Sequence, residues 1–384
     1  MENLNNRLES LIRLRKELHK NPELSGKETE TAKRIISFLE QYPPDEMQTN
    51  VGGTGIIAIY KGAEEGKSIL FRCELDALPI KETNSFEHKS IKNTISHKCG
   101  HDGHMAILCG LASELYHQQP EKGNVVILFQ PAEENGSGAK KVAYDEKFKV
   151  LKLDYVFALH NLPEFAKNQI VVKDGTFSCA VKSIIIRLKG KVAHAAEPEN
   201  GINPAMAIAT MIQQFDLKNQ YNKSKKDFAV ITPVYSSFGQ KAYGVSAGKG
   251  EVHFTIRCQT NDEMERLSKE LENLTEEIAK INQLEFKIKW TDSFHANENN
   301  SEANHYIKNA SKILVLDVVE KDTPFSWGED FGLFTQHYPG AMFGLGAGQE
   351  TPALHHSDYD FPDEIILTGI KLFHQISKEI NHAY

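Results

Sequence analysis

The amino-acid sequence predicts an α/β chain: a mainly parallel mixed sheet with helices on both faces, interrupted by a smaller α+β domain with an antiparallel sheet. Three observations carry this. Short, nearly continuous apolar runs recur in the first part of the chain, as strands covered on both faces require. From about residue 180 the runs give way to strict alternation, which fits a sheet with one wet face. Amphipathic helical stretches interleave with both kinds of strand.

The elements follow in order. Leu4, Leu8, Leu11, Ile12 and Leu18 lie along one face of an opening helix, and Ala32, Ile35, Ile36 and Leu39 along a second. Asn21-Pro22 and Ser25-Gly26 mark the turn between them. The runs Gly55–Tyr60, Ser68–Cys73, Asn124–Phe129 and Asp154–Leu159 read as buried strands, with a helix from about His104 to Tyr116 between two of them. Then Ser183–Lys189, Glu251–Cys258 and Glu285–Trp290 alternate apolar with polar residues. One helix starts at Asn203-Pro204, a cap followed by proline at the first helical position, and carries Ile208, Met211, Ile212 and Phe215. The other carries Met264, Leu267, Leu271, Leu274 and Ile278. We therefore expect a discontinuous domain, 1–179 with 292–384, and an inserted domain, 180–291.

The chain has 384 residues, room for two or three domains at roughly 150 each. Apolar residues at 40% and charged residues at 25% exclude a disordered, collagen-like or disulfide-stapled chain. No apolar run nears the roughly 20 residues of a bilayer span, and the charged N-terminus lacks the features of a signal peptide. A net charge of −8 argues against nucleic acid and anionic membranes as partners. Five cysteines without framework spacing suit a reducing cytoplasm. The 16 histidines outnumber the 12 tyrosines, a hint of metal or acid–base chemistry.

Ionisable residues directly follow the buried strands: Glu74 and Asp76, Glu133 and Glu134, and His160. Ligands of open α/β sheets bind beyond the carboxyl ends of strands, so these groups should converge on one crevice. The stretch SHKCGHDGH packs Cys99, His101, Asp102 and His104 just before a helix, a density of thiolate and imidazole that suits a borderline-soft divalent cation. The plain alternative is a glycine-broken loop with exposed histidines. Of the consecutive acids Glu133 and Glu134, one can bind metal while the other deprotonates water. Two adjacent acids in a loop are otherwise a solvated pair. His160 is open between a ligand and a structural histidine. Nothing intrinsic chooses between His355 and His356, which follow the Gly-rich GLGAG. His194 follows the first strand of the inserted domain. Arg257 lies on a wet face, where a solvated charge is the ordinary outcome.

Taken together these segments resemble the di-metal amidohydrolases related to aminoacylase and the glutamate-releasing carboxypeptidases. The branch is that of hippurate hydrolases, indoleacetyl-amino-acid hydrolases and N-acetyl-diaminopimelate deacetylases. The resemblance runs through IRLRKELHKNPELSGKETETA, RCELDALPI, HKCGHDGHMA, FQPAEENGSGA, ALHNLP, HAAEPENGINPA, WGEDFG and LHHSDYDFPDE. It implies a zinc-exopeptidase-like fold and two divalent ions (Zn, Mn, Ni or Co), with Cys99, His101, Glu134, His160 and His355 as ligands. It implies Glu133 as general base, Asp76 as the acid supporting the metal site, and His194 as a histidine reaching over the substrate carbonyl, often from a neighbouring subunit. It implies a homo-oligomer, dimer or tetramer, through an inserted domain that serves as lid and dimerisation module; an exposed edge of the inserted sheet could pair with another subunit. Glu74, Glu199 and Asn203 depart from the branch, which more often has Asp, His and Asp there, and AYGVSAG replaces an Asn-Val-Ile-Pro-like stretch.

The expected activity is cleavage of an N-acyl-L-amino acid by activated water. Arg257 and Asn203 are candidates for binding the substrate, Arg257 because its planar fork suits a carboxylate. The alternatives are a dipeptidase or aminopeptidase on the same scaffold, and a metal-dependent binding protein without catalysis.

Overall fold

The computed structural model describes residues 4–382; the side chain of Leu4 lies outside the described residues. The chain forms two compact units, Met1–Phe177 with Asn297–Asp322 and Asp330–Tyr384, and Ser178–Ala296 with Thr323–Glu329.

In chain order, the strands used below are β1 (Glu46–Val51), β2 (Gly55–Lys61), β3 (Glu64–Glu74), β4 (Lys122–Gln130), β5 (Tyr155–Pro163) and β6 (Ile170–Val172). In the second unit they are β7 (Ala180–Lys189), β8 (Ala229–Phe238), β9 (Lys249–Cys258) and β10 (Glu285–Phe294). β11 (Val318–Glu320) and β12 (Gly340–Gly348) return to the first unit. The helices used below are α1 (Leu4–Lys20), α2 (Thr29–Leu39), α3 (His101–His117), α4 (Ala205–Asp216), α5 (Asn261–Ile281), α6 (Ser301–Ile313) and α7 (Ile366–His382).

The first unit holds an eight-stranded mixed sheet in the order β1-β2-β4-β3-β5-β12-β6-β11. Its centre, β4-β3-β5-β12, is parallel throughout. β2 runs antiparallel to both β1 and β4. Its run Ile56–Tyr60 is buried on both faces all the same, because an apolar run reports burial and not direction. One face of the sheet contributes Ile56, Ala58, Tyr60, Ile69, Phe71 and Cys73 to a core shared with α1, α2, α3 and α7. Phe71 lies 5.8 Å from Phe157 and 4.8 Å from Phe373, ring centre to ring centre. Each such buried side chain contributes about 1.5–3 kcal/mol.

α3 is buried from His101 to Leu115 and begins earlier than its apolar residues suggest. Its first turn carries ionisable groups, so the helix start is invisible to hydrophobic periodicity. Gly100 precedes it at φ 94°, and a Cβ there would sit 2.6 Å from Asn161 Oδ1. Gly103 lets the Phe361 ring approach where a Cβ would lie 2.3 Å away.

The second unit is a four-stranded antiparallel sheet, β8-β9-β7-β10. Ile184, Ile186, Leu188, Val252, Phe254, Ile256 and Cys258 form its buried face, against Met211 and Phe215 of α4 and Leu267 and Leu271 of α5. β8 sits at one edge and is largely exposed, which is why alternation did not reveal it. All five cysteines are buried thiols. Among the described residues no helix is long and apolar enough to cross a membrane.

α1 is fastened by buried charge as well as by apolar packing. Arg15 donates to Asp360 (2.6 Å) and Asp363 (2.9 Å). His19 lies between Asp102 (Nδ1, 2.8 Å) and Glu82 (Nε2, 2.9 Å), and the Lys98 ammonium also donates to Glu82 (2.5 Å). The rings of His88 and His97 face His19 at 5.3 and 6.4 Å. Burial works against the His19 charge, but Asp102, Glu82 and Asp360 outweigh it and raise its pKa to about 9. A raised imidazole stabilises the fold fully below its ordinary pKa of about 6.5 and loses that contribution as pH climbs through the folded value. Unfolding free energy should therefore fall between pH 6.5 and 9, and His19→Gln should flatten that slope. An identical slope in urea titrations of both proteins would remove His19 as its source.

Candidate metal centre and active site

β3, β4, β5 and β12 run the same way, so their carboxyl ends share one edge of the sheet. Glu74 ends β3 and Asp76 follows it. Glu133 and Glu134 follow β4. His160 sits in the second half of β5, and His355 lies in the loop after β12. Cys99 and His101 flank the start of α3.

These groups meet. The donor atoms of Cys99, His101 and His160 lie within 4.8 Å of one another, as do those of Cys99, Glu134 and His355. The Cys99 thiol belongs to both groups, and its Sγ is 3.5 Å from His160 Nε2. His101 Nε2 is 3.8 Å from Glu134 Oε1 and 3.9 Å from Glu133 Oε2. His355 Nε2 is 3.9 Å from Glu134 Oε2. The three imidazole–carboxylate spacings are too long for hydrogen bonds. They match two metal bonds of about 2 Å each, which together span up to about 4 Å.

The imidazoles are oriented for that task. His101 donates Nδ1–H to the Asp76 carbonyl (2.8 Å), and His160 donates Nδ1–H to the Asn161 carbonyl (2.9 Å). Each Nε2 lone pair is thereby turned toward the cluster, as histidine ligands require. Among the described residues His101 Nε2 is buried without a hydrogen-bond partner, an orphan that a cation would satisfy. Burial pushes the His160 pKa down to about 3, which keeps the ring neutral. Burial also disfavours charge on His101, yet the carboxylates of Glu74, Asp76 and Glu134 raise its pKa to about 10. That acidic field favours positive charge at this spot. The residues present fit divalent ions.

Asp76 stands behind the cluster. Its carboxylate accepts the N–H of Glu133 (3.1 Å) and of Glu134 (3.0 Å) and the Ser25 hydroxyl (2.6 Å). Burial opposes its charge, but His101, Ser25 and these amides hold its pKa below the usual range. Glu74 is tied to Arg72 and accepts from His104 Nδ1 (2.6 Å). Arg72 also pairs with Asp330 (2.5 Å). Asp102, in the same motif as His101, is engaged by His19 and Arg15 instead.

His194, Asn203 and Arg257 belong to the second unit. His194 is exposed, and its Nδ1 accepts the Ala196 N–H (3.0 Å). The Asn203 side chain accepts from Ala205 N at the start of α4 and donates to Ser246. Glu199 lies exposed on a short 3-10 turn. Arg257 donates to the Ser326 carbonyl (2.7 Å), and burial lowers its pKa.

Several contributors escaped the sequence reading: Ser25, Glu28, Lys98, Asn161 and Tyr359. The Lys98 ammonium is buried on Glu82, Asn84 and the Tyr359 carbonyl, while its own carbonyl takes the His355 N–H (2.7 Å). Asn161 joins His104 (2.5 Å) to the Tyr359 hydroxyl (2.5 Å). Only the burial of a lysine and an asparagine distinguishes them, and burial of such residues is not written in local sequence.

A buried thiol–imidazole–carboxylate cluster at the carboxyl edge of a parallel sheet defines a metal-dependent hydrolase. The chain belongs to the family described as peptidase family M20/M25/M40, whose model matches residues 70–379. It is 32% identical over 362 residues to an N-acetyldiaminopimelate deacetylase of Bacillus subtilis strain 168, covering 93% of this chain and 95% of that one. It is 32% identical over 373 residues to the enzyme of that name from Priestia megaterium, covering 97% of each. In structure it is similar to a Bacillus subtilis protein described as a dinuclear metal binding peptidase from the M20 family. The TM-score is 0.85 at 28% identity, covering 99% of this chain and 100% of that one. The chain is thus an amide-bond hydrolase that depends on metal.

Glu74→Ala should take one of two carboxylates from Arg72, which keeps Asp330, and leave the buried His104 Nδ1 without its acceptor. The expected cost is about 3–5 kcal/mol, the range for breaking a buried pair from one side. Chemical denaturation measures it, and a loss under 1 kcal/mol would show the network to be solvated.

Proposed function

We propose that this protein hydrolyses the amide bond of N-acyl-L-amino acids, releasing a carboxylic acid and a free amino acid. The observation that carries the reading is the pair of donor groups sharing Cys99, with Glu133 beside His101. The N-acetyldiaminopimelate deacetylases to which the chain is similar support an N-acetyl amino acid as the first substrate class to test.

Cys99, His101, Glu134, His160 and His355 would hold two divalent ions. When bound, these supply Lewis acidity that polarises the amide carbonyl and acidifies water. Glu133 takes the proton of the attacking water and returns it to the leaving amine. Buried at the end of β4 and facing His101, it is screened from bulk solvent, which keeps that proton within the site. His194 stabilises the oxyanion of the tetrahedral intermediate, and the second unit serves as lid. Arg257 grips the substrate carboxylate. Pro204, not Asn203, stands at the N-cap of α4; Asn203, whose Oδ1 accepts the Ala205 N–H two residues on, acts on the substrate side indirectly by fixing the turn that leads into that helix. Exposed Val234, Tyr235 and Phe238 on edge strand β8 support a homo-oligomer formed through the second unit.

Glu133→Ala should keep metal content near normal while turnover falls by roughly 10²–10⁴-fold. Substantial residual turnover would end the general-base assignment. His194→Ala should lower kcat by roughly a hundredfold or more; an unchanged kcat would remove it from the chemistry.

Chelation should abolish hydrolysis, and readdition of Zn, Mn, Ni or Co one at a time should restore it. Acetyl, benzoyl and indoleacetyl conjugates should be cleaved in preference to dipeptides with a free α-amine. The reverse preference would identify an exopeptidase.

A further inference from the structure

We propose that Glu28, to which the mechanism above gives no role, is a positioning residue for the Glu133-Glu134 pair, acting through the backbone of Ala132. The inference rests on the general-base reading of Glu133. Ala132 is a buried alanine at φ 54°, in the left-handed region where an L side chain crowds its own backbone. Such a conformation persists only where the surroundings hold it.

The holding contacts are specific. The Ala132 N–H donates to Glu28 Oε1 (2.9 Å), and the Ala132 carbonyl accepts from Gly138 N (2.9 Å). Glu133 and Glu134 donate their N–H groups to the two oxygens of Asp76. Three consecutive amides, 132 to 134, are therefore taken up by two buried carboxylates. Glu28 is itself fully buried and pinned, with Oε1 accepting Gly26 N (2.7 Å) and Oε2 accepting the Thr54 hydroxyl (2.8 Å). The same short segment ties off Asp76 through Ser25.

The consequence lies in where the two acids point. Consecutive side chains of an extended strand face opposite ways. Here both Glu133 and Glu134 come within 4 Å of one imidazole, at 3.9 and 3.8 Å from His101 Nε2. A turn closed by Gly136 N on the Glu133 carbonyl (2.7 Å) brings the two side chains to one side. The left-handed φ at Ala132 aims that turn from the end of β4 toward His101, and Glu28 supplies the acceptor that keeps the Ala132 amide in place. Without that acceptor the buried N–H is stranded and the turn is free to relax to negative φ, carrying the Glu133 carboxylate off the attacking water.

The test uses four variants of the full chain with metal content, kcat, KM and unfolding midpoint measured for each. Glu28→Ala should lower kcat roughly ten- to a hundredfold, the scale for a displaced catalytic group, with KM within about twofold and metal retained. Glu28→Gln should keep most of the activity, because its amide oxygen still accepts both N–H groups. Ala132→Gly placed in the Glu28→Ala protein should restore much of the lost kcat, because glycine takes φ near +54° without a side chain to crowd. Glu28→Asp, which draws the carboxylate back by one methylene, should show the kcat loss even if Glu28→Ala does not fold. Wild-type kcat in Glu28→Asp overturns the proposal. So does a loss that Ala132→Gly leaves untouched, which would make Glu28 a stability residue only. If Glu133→Ala itself stays active, the underlying reading of Glu133 fails instead, whatever Glu28 does.

Discussion

The Asp76 carboxylate is the contact on which the site depends. It sits just past the end of β3, buried, and holds the backbone of both acids that follow β4. Its carbonyl fixes the tautomer of His101, and its side chain is held in turn by Ser25. One residue therefore sets the positions of two strand ends and the start of α3 relative to one another. A carboxylate can do this because it offers about four acceptor positions in one plane. It stays ionised because the donors around it offset the cost of burial.

Behind that contact lie two groups of buried charge. On one side Arg72 joins Glu74 and Asp330, and Glu74 joins His104. On the other Arg15, His19 and Lys98 meet Asp102, Glu82, Asp360 and Asp363. Buried pairs of this kind add little net stability over apolar packing, but removing one member is costly. Their effect is geometric: they leave each side chain one low-energy arrangement. Lys98 illustrates it, with an ammonium on the Tyr359 carbonyl and a carbonyl on the His355 amide. The loops bearing Cys99 and His355 are thereby joined on both sides of one residue.

His355 adopts φ 67°, and Ala132 a similar left-handed conformation. Both lie next to or within the donor set, in loops whose neighbours fix them. Strain of this kind gathers at sites whose geometry is over-determined by their surroundings. The rest of the sheet carries the corresponding stability in its apolar core.

Much was legible without coordinates. Apolar runs marked the central strands, alternation marked the inserted sheet, and the membership of the metallopeptidase family could be read from CGHDGH, QPAEEN and LHHS. These signals are local, because period and short-range spacing are properties of a few consecutive residues. Tertiary structure decided the direction of β2, the existence of exposed edge strand β8, and the start of α3 at His101. It alone brought Glu28 to Ala132, Lys98 to Tyr359 and Arg15 to Asp363, pairs separated by 104, 261 and 348 positions. A charged residue in a polar stretch looks solvated until the fold buries it. Sequence determined which chemical groups the chain carries beyond its strands. Only the tertiary structure determined which buried charges hold them in place, because that depends on contacts between distant segments.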